Sequence, residues 1–185
     1  MVALDSHALD ELFQRGRWLT FPDFVRLVEQ DHPHDEPGVS REVLDAYAEA
    51  IENDLGGAAP FTVEEMEQRL ERHLSDSGGW SKRAVYEVGS DRISFYPKSW
   101  HDRLRGETDP RKYVAVMQAD SDPSTSQYPR GIRGARVPKQ QLLNAMQILG
   151  RMNIHAATQA VDDGRKRGEL LVYPFQNPEA DVLLP

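Results

Sequence analysis

Residues 160–174 read Ala160-Val161-Asp162-Asp163-Gly164-Arg165-Lys166-Arg167-Gly168-Glu169-Leu170-Leu171-Val172-Tyr173-Pro174. Along this stretch the apolar pattern changes from helical to extended, and that change decides the architecture. Upstream, Asn153 suits an N-cap, and Ile154, Ala157 and Val161 recur at the spacing of a buried helix face. Gly168 ends the helix. Leu170 to Tyr173 then read as a strand, and Asp181 to Leu184 as its partner across Pro174 to Ala180, which predicts a terminal hairpin. Ahead of Asn153, Pro138 suits a helix start, and Leu142, Leu143, Met146 and Leu149 trace an apolar stripe. The order is helix, helix, hairpin.

The same order occurs once before, in residues 40–97. Ser40 caps a helix with Val43, Leu44, Tyr47, Ala48 and Ile51 on one face and Glu42, Asp45, Glu49 and Glu52 on the other, and Gly56-Gly57 stops it. Thr62-Val63-Glu64-Glu65 has the form of a capping box, after which Met66, Leu70 and Leu74 repeat every four residues. Past Ser77-Gly78-Gly79 the period falls to two, and residues 84–88 and 92–96 predict a hairpin around Gly89-Ser90-Asp91. Two shorter helices precede this block, one capped by Ser6 and one starting at Thr20 with Pro22 in its first turn, and residues 32–38 form a Pro- and Gly-containing loop. Ser99 to Leu104 reads as a short helix bearing Trp100. From Asp109-Pro110 onward, Tyr113, Val114, Val116 and Met117 fit a helix or a third strand equally well.

These elements predict a mainly α chain with short antiparallel β-hairpins, an α+β fold. Residues 120–137 are nearly devoid of apolar side chains and read as a flexible connector. The division this suggests is a helical domain with a hairpin over 1–120, a connector over 121–137 and a second domain over 138–185.

Cysteine is absent, which excludes disulfides, thiolate metal sites and cysteine nucleophiles. No apolar run approaches the roughly 18 residues of a bilayer span, so no membrane is expected, and a cytoplasmic location is. The net charge of −8 is unevenly spread: residues 1–76 carry −12, residues 77–151 carry +6 and residues 152–185 carry −2. Such asymmetry suggests either a face for an anionic partner or a basic segment that docks on the acidic one. With 17 Arg against 5 Lys and abundant carboxylates, the composition resembles that of proteins from salt-loving archaea.

The repeated helix-helix-hairpin order, and the 153–174 segment above all, resemble the winged helix-turn-helix superfamily of DNA-binding proteins. The resemblance covers about a quarter of the chain and implies a tandem winged-helix arrangement. In each copy a recognition helix would enter the major groove, flanked by a hairpin wing. It further implies a non-enzymatic, cofactor-free DNA-binding protein, a transcriptional regulator or an accessory of a DNA-processing complex. Two departures stand out: the 153–168 helix offers His155 and Gln159 but also Asp162 and Asp163, and the 62–74 helix carries Glu64, Glu65, Glu67 and Glu71.

The candidate phosphate contacts are Lys82, Arg83, Arg92, Lys98, Arg130, Arg133 and Arg136, with Arg165, Lys166 and Arg167 as a second group. Tyr86, Phe95, Tyr96 and Trp100 are interleaved with the first group, as stacking platforms for bases or as core. The rival reading is a protein-interaction adaptor or homodimeric scaffold whose cations meet carboxylates. Enzyme signals are thinner: His32, His34, Asp35 and Glu36 hold metal-ligand types between prolines, with no metal expected there. His101-Asp102 with Ser94, Ser99 or Ser124 has triad residue types without a nucleophile elbow.

Overall fold

The computed structural model describes residues 1–120, 136–174, 176–177 and 179–185. They form two compact units, Met1–His101 and Asp102–Pro185.

In the first unit, α1 (Ser6–Arg15) and α2 (Phe21–Asp31) precede β1 (Val39–Ser40), α3 (Arg41–Leu55), α4 (Met66–His73), β2 (Tyr86–Gly89) and β3 (Arg92–Ser94). Caps expected from the sequence are in place, since the Thr20 hydroxyl accepts from the Asp23 amide and that of Ser40 from the Val43 amide. The Thr62–Glu65 capping box also forms, although the turn it opens is 3₁₀ and leads into α4. Asp5, not Ser6, caps α1, because its carboxylate reaches the Ala8 amide at 3.0 Å. The sheet order is β1-β3-β2, antiparallel, with Val39 opposite Ile93 and Tyr86 opposite Ser94. The stripes read from the sequence meet in one core holding Leu12, Phe24, Val28, Leu44, Tyr47, Ile51, Leu70 and Ile93.

Helix α5 (Lys98–Leu104) follows the hairpin and spans the boundary between the units. The second unit then runs α6 (Pro110–Asp120), β4 (Val137–Pro138), α7 (Lys139–Ile148), α8 (Ile154–Lys166), β5 (Leu171–Tyr173) and β6 (Asp181–Leu183). The ambiguous 113–117 run is helical, with Tyr113, Val114, Val116 and Met117 all buried. Asn153 caps α8 through the Ala156 amide at 2.8 Å. The predicted terminal hairpin forms, and β4 joins it to give the order β4-β6-β5. The units divide at residue 101, ahead of the boundary suggested by the connector, because α6 packs on α7 and α8. Of that connector, residues 121–135 lie outside the described residues, and Val137 belongs to β4.

From α2 in the first unit and from α6 in the second, one succession repeats: helix, strand, helix, helix, strand, strand, with the first strand pairing the last and the last in the centre. No helix among the described residues is long and apolar enough to cross a membrane.

Candidate nucleic-acid interface

The cations singled out in the sequence have different fates. Arg92 is structural: its Nε donates to the Pro37 carbonyl at 2.8 Å, and its Nη2 donates to the carbonyls of Glu36 (3.2 Å) and Gly38. The guanidinium thus ties the 36–38 loop to β3, and Glu36 adds a carboxylate at 3.7 Å. Arg92→Ala is expected to lower the stability of the first unit by about 2 kcal/mol, because charge-assisted hydrogen bonds to the partly buried carbonyls of residues 36–38 are lost. Urea unfolding followed by tryptophan emission checks this, and a midpoint equal to the parent's would contradict it.

Lys82 and Arg83 are exposed in the turn before β2, with no acidic partner among the described residues. Lys98 is exposed at the start of α5. Arg130 and Arg133 lie outside the described residues. Arg136 faces Asp181 at 3.5 Å, Lys166 faces Asp163 at 3.9 Å, and Arg167 is bound by Glu169 at 2.9 Å. Arg165 is half-buried on α8. Two further cations from the basic middle segment are also engaged internally, Arg111 with Asp109 and Glu169, and Lys112 with Glu107. Those contacts hold the Asp109 and Glu107 carboxyls below the usual carboxylate range, chiefly through the hydrogen bonds from Arg111 and Lys112.

The aromatic residues are not a platform for bases. Tyr86, Phe95, Tyr96 and Trp100 are 5% exposed or less, with Trp100 stacked on Tyr96 at 5.4 Å and Trp80 tilted against Trp100 at 5.8 Å. Only Tyr86 follows the alternation of a strand with one buried face; Phe95 and Tyr96 lie consecutively past β3 and Trp100 on α5, and all three pack against Trp80. This is a correction to the stacking alternative.

Arg151 went unremarked in the sequence and has a clearer exposure. It occupies the turn between α7 and α8 with φ of 53°, exposed and with no acidic partner among the described residues. Next to it, the first turn of α8 exposes Ile154, His155 and Ala156 and carries no carboxylate; Asp162 and Asp163 lie in the second half. The equivalent helix of the first unit, α4, instead exposes Glu67, Gln68, Glu71 and Arg72, just after Glu64. Charge follows the same division. Residues 1–101 hold 20 acidic and 10 basic side chains, a net of −10, whereas residues 102–185 hold 10 acidic and 12 basic, a net of +2.

The enzyme signals resolve differently. His32 and His34 line an open cleft of about 350 Å³ with Asp35, Glu36, Ser40 and Arg92. Yet Nδ1 of His32 faces the Tyr47 hydroxyl and Nδ1 of His34 faces the His32 carbonyl, and no group of three metal-ligating side chains converges among the described residues. Ser94 and His101 do meet, 2.7 Å apart, but their third partner is Glu29 on α2 and all three are buried. The serine sits between the acid and the imidazole, unlike the order in which a histidine activates a nucleophile. No linear reading of the chain brings residue 29 to residue 94.

Comparison with known proteins finds no matching family model, no matching curated protein and no matching solved structure.

Proposed function

We propose that the chain is a tandem winged-helix DNA-binding protein that contacts duplex DNA through residues 102–185 alone. The observation that supports this most is the order α6-β4-α7-α8-β5-β6 with its β4-β6-β5 sheet, which is the succession of a winged helix-turn-helix. In that arrangement α8 is the recognition helix, and its leading end is the exposed, carboxylate-free turn beside Arg151. Arg151 approaches the phosphate backbone, His155 faces base edges, and Arg165 supplies a phosphate contact toward the wing, joined by Lys166 and Arg167 as they exchange their exposed pairs with Asp163 and Glu169 for phosphate. The first unit has the same succession but presents glutamates on α4, which repel phosphate, so its role is association.

Fluorescence anisotropy with a labelled duplex, repeated between 50 and 200 mM salt, tests the proposal. Each lost phosphate contact lowers the slope of log affinity against log salt by about 0.9. Arg151→Ala with Lys166→Ala and Arg167→Ala is therefore expected to flatten the slope by about 2 to 3 and weaken binding at least tenfold at low salt. Lys82→Ala with Arg83→Ala should leave both unchanged. Absence of any binding by the parent protein at 50 mM salt would dispose of the reading.

One observation favours association in its place. Leu171 and Tyr173 stand outward on β5, an edge strand, at 51% and 69% exposure. A mass by light scattering that doubles with concentration, and is restored to monomer by Tyr173→Ser, would support a homodimer.

A further inference from the structure

We propose that Glu29, Ser94 and His101 form a single-proton switch that fastens α5 to β3 in the first unit. Ser94 Oγ lies 2.8 and 2.9 Å from the two carboxylate oxygens of Glu29, 2.7 Å from His101 Nε2 and 2.9 Å from the Tyr96 amide. Glu29 Oε2 accepts from the Phe95 amide as well, at 2.9 Å. Glu29 is 1% exposed, Ser94 0% and His101 5%.

Proton bookkeeping follows from donors and acceptors. The Tyr96 amide donates to Ser94 Oγ, which leaves the hydroxyl one proton to give and one lone pair to fill. With Glu29 ionised and His101 neutral, the hydroxyl donates to the carboxylate and Nε2–H donates to the hydroxyl, and the cluster bears one buried negative charge. Uptake of one proton from solvent brings that charge to zero. The proton then rests either on His101, with the bonds among Glu29, Ser94 and Nε2 kept, or on Glu29, with the chain reversed so that the carboxyl donates to Ser94 and Ser94 to Nε2.

The surroundings make the charged form costly. The permanent cation nearest in the sheet, Arg92 of β3, spends its donors on the carbonyls of residues 36–38. Three titratable rings and hydroxyls on the other elements packed on α2 have partners elsewhere. On α3, Tyr47 binds His32 and the Asp5 amide; on α4, His73 stacks on Phe21 and faces the Arg83 carbonyl; on α1, His7 faces Asp31. Among these groups the imidazole of His101 on α5 stands nearest to Glu29, with Nε2 3.6 Å from Oε1. Burial pushes the Glu29 carboxyl up to about 7, against the Phe95 and Gly38 amides, the Ser94 hydroxyl and the more distant charge of Arg92, which pull it down.

A permanent apolar or amide side chain would cost the fold less than a buried acid whose hydrogen bonds come from a hydroxyl and a backbone amide and not from a permanent cation. Retaining the acid gives α5 a polar anchor that strengthens as the proton arrives, beside the apolar anchor of Trp100. This inference does not depend on the DNA reading.

The test uses the full chain. Carbon-13 NMR of the Glu29 carboxyl and imidazole resonances of His101 are followed from pH 5 to 9, and both are expected to move in one shared step near neutrality. In Glu29→Gln, which reproduces the protonated hydrogen-bond order, that step should vanish from His101, and the amides of α5 should keep above pH 8 the exchange protection that the parent loses by tenfold or more. A Glu29 carboxyl that titrates near its ordinary value of 4.5 overturns the proposal, as does a His101 step at an unrelated pH. Both readings come from the parent protein, so they decide the matter even if the variant does not fold.

Discussion

Replacing Gly150 by alanine is expected to unfold residues 102–185 while leaving the first unit intact. A Cβ at Gly150 would lie 2.5 Å from the Tyr113 hydroxyl, 2.6 Å from the Glu107 carbonyl and 2.7 Å from the Met146 carbonyl. Two of these are backbone atoms, so no side-chain rotation relieves the overlap. The Tyr113 hydroxyl also donates to Glu107 at 2.7 Å, and Gly106 donates to the Leu149 carbonyl at 2.9 Å, so one knot joins α6, α7 and the 104–107 turn. Breaking it costs about 4 kcal/mol or more, a large share of the roughly 4–13 kcal/mol that a unit of this size holds. Trp18, Trp80 and Trp100 all precede residue 102, so the readouts separate the units. Far-UV circular dichroism should lose helix while tryptophan emission stays native. A variant whose dichroism and melting curve overlay the parent's would show that this turn has room to move.

The second large effect belongs to Ser94→Ala. Removing the hydroxyl takes a donor from Glu29, a partner from His101 and the acceptor of the Tyr96 amide, all in a site closed to water. At pH 8, where the carboxylate is charged, we expect a loss of about 3 kcal/mol; at pH 5, where the cluster is neutral, about 1–2 kcal/mol. The sign follows from linkage. Glu29 binds its proton more tightly folded than unfolded, so its contribution is complete below 4.5 and declines as pH rises from there through about 7. Ser94→Ala steepens that decline, and urea midpoints at the two pH values measure it. Equal losses at both would mean that the hydroxyl does not serve the carboxylate.

Helices were legible wherever a cap and an apolar period agreed. Thr20, Ser40, Thr62 and Asn153 all cap as their side chains and the residues that follow suggest. Both hairpins were legible from a change of period. Strands β1 and β4 were not, because two residues have no periodicity and exist as strands only through pairing with β3 and β6. Helix α6 was undecidable because nearly every position of its apolar run is buried, which erases the polar face that distinguishes helix from strand. The fates of the candidate cations were legible in outline only. A count of charges identifies a basic segment, but not that Arg92 is consumed by carbonyls more than fifty residues away or that Arg111 and Lys112 are held by neighbouring carboxylates. Arg151 was overlooked because a single arginine between two helices has no pattern; its significance is positional. The Glu29 cluster joins residues 65 positions apart, a separation at which local spacing is silent.

Helix α5 gives Trp100 and His101 to one unit and Leu104 to the other, where the Leu104 carbonyl accepts from Tyr113. A cut between residues 101 and 104 leaves each half its own anchors but divides the one helix that carries them. Separately produced halves will each need their own copy of this short segment, so the chain is better dissected by overlapping fragments than by a single scission.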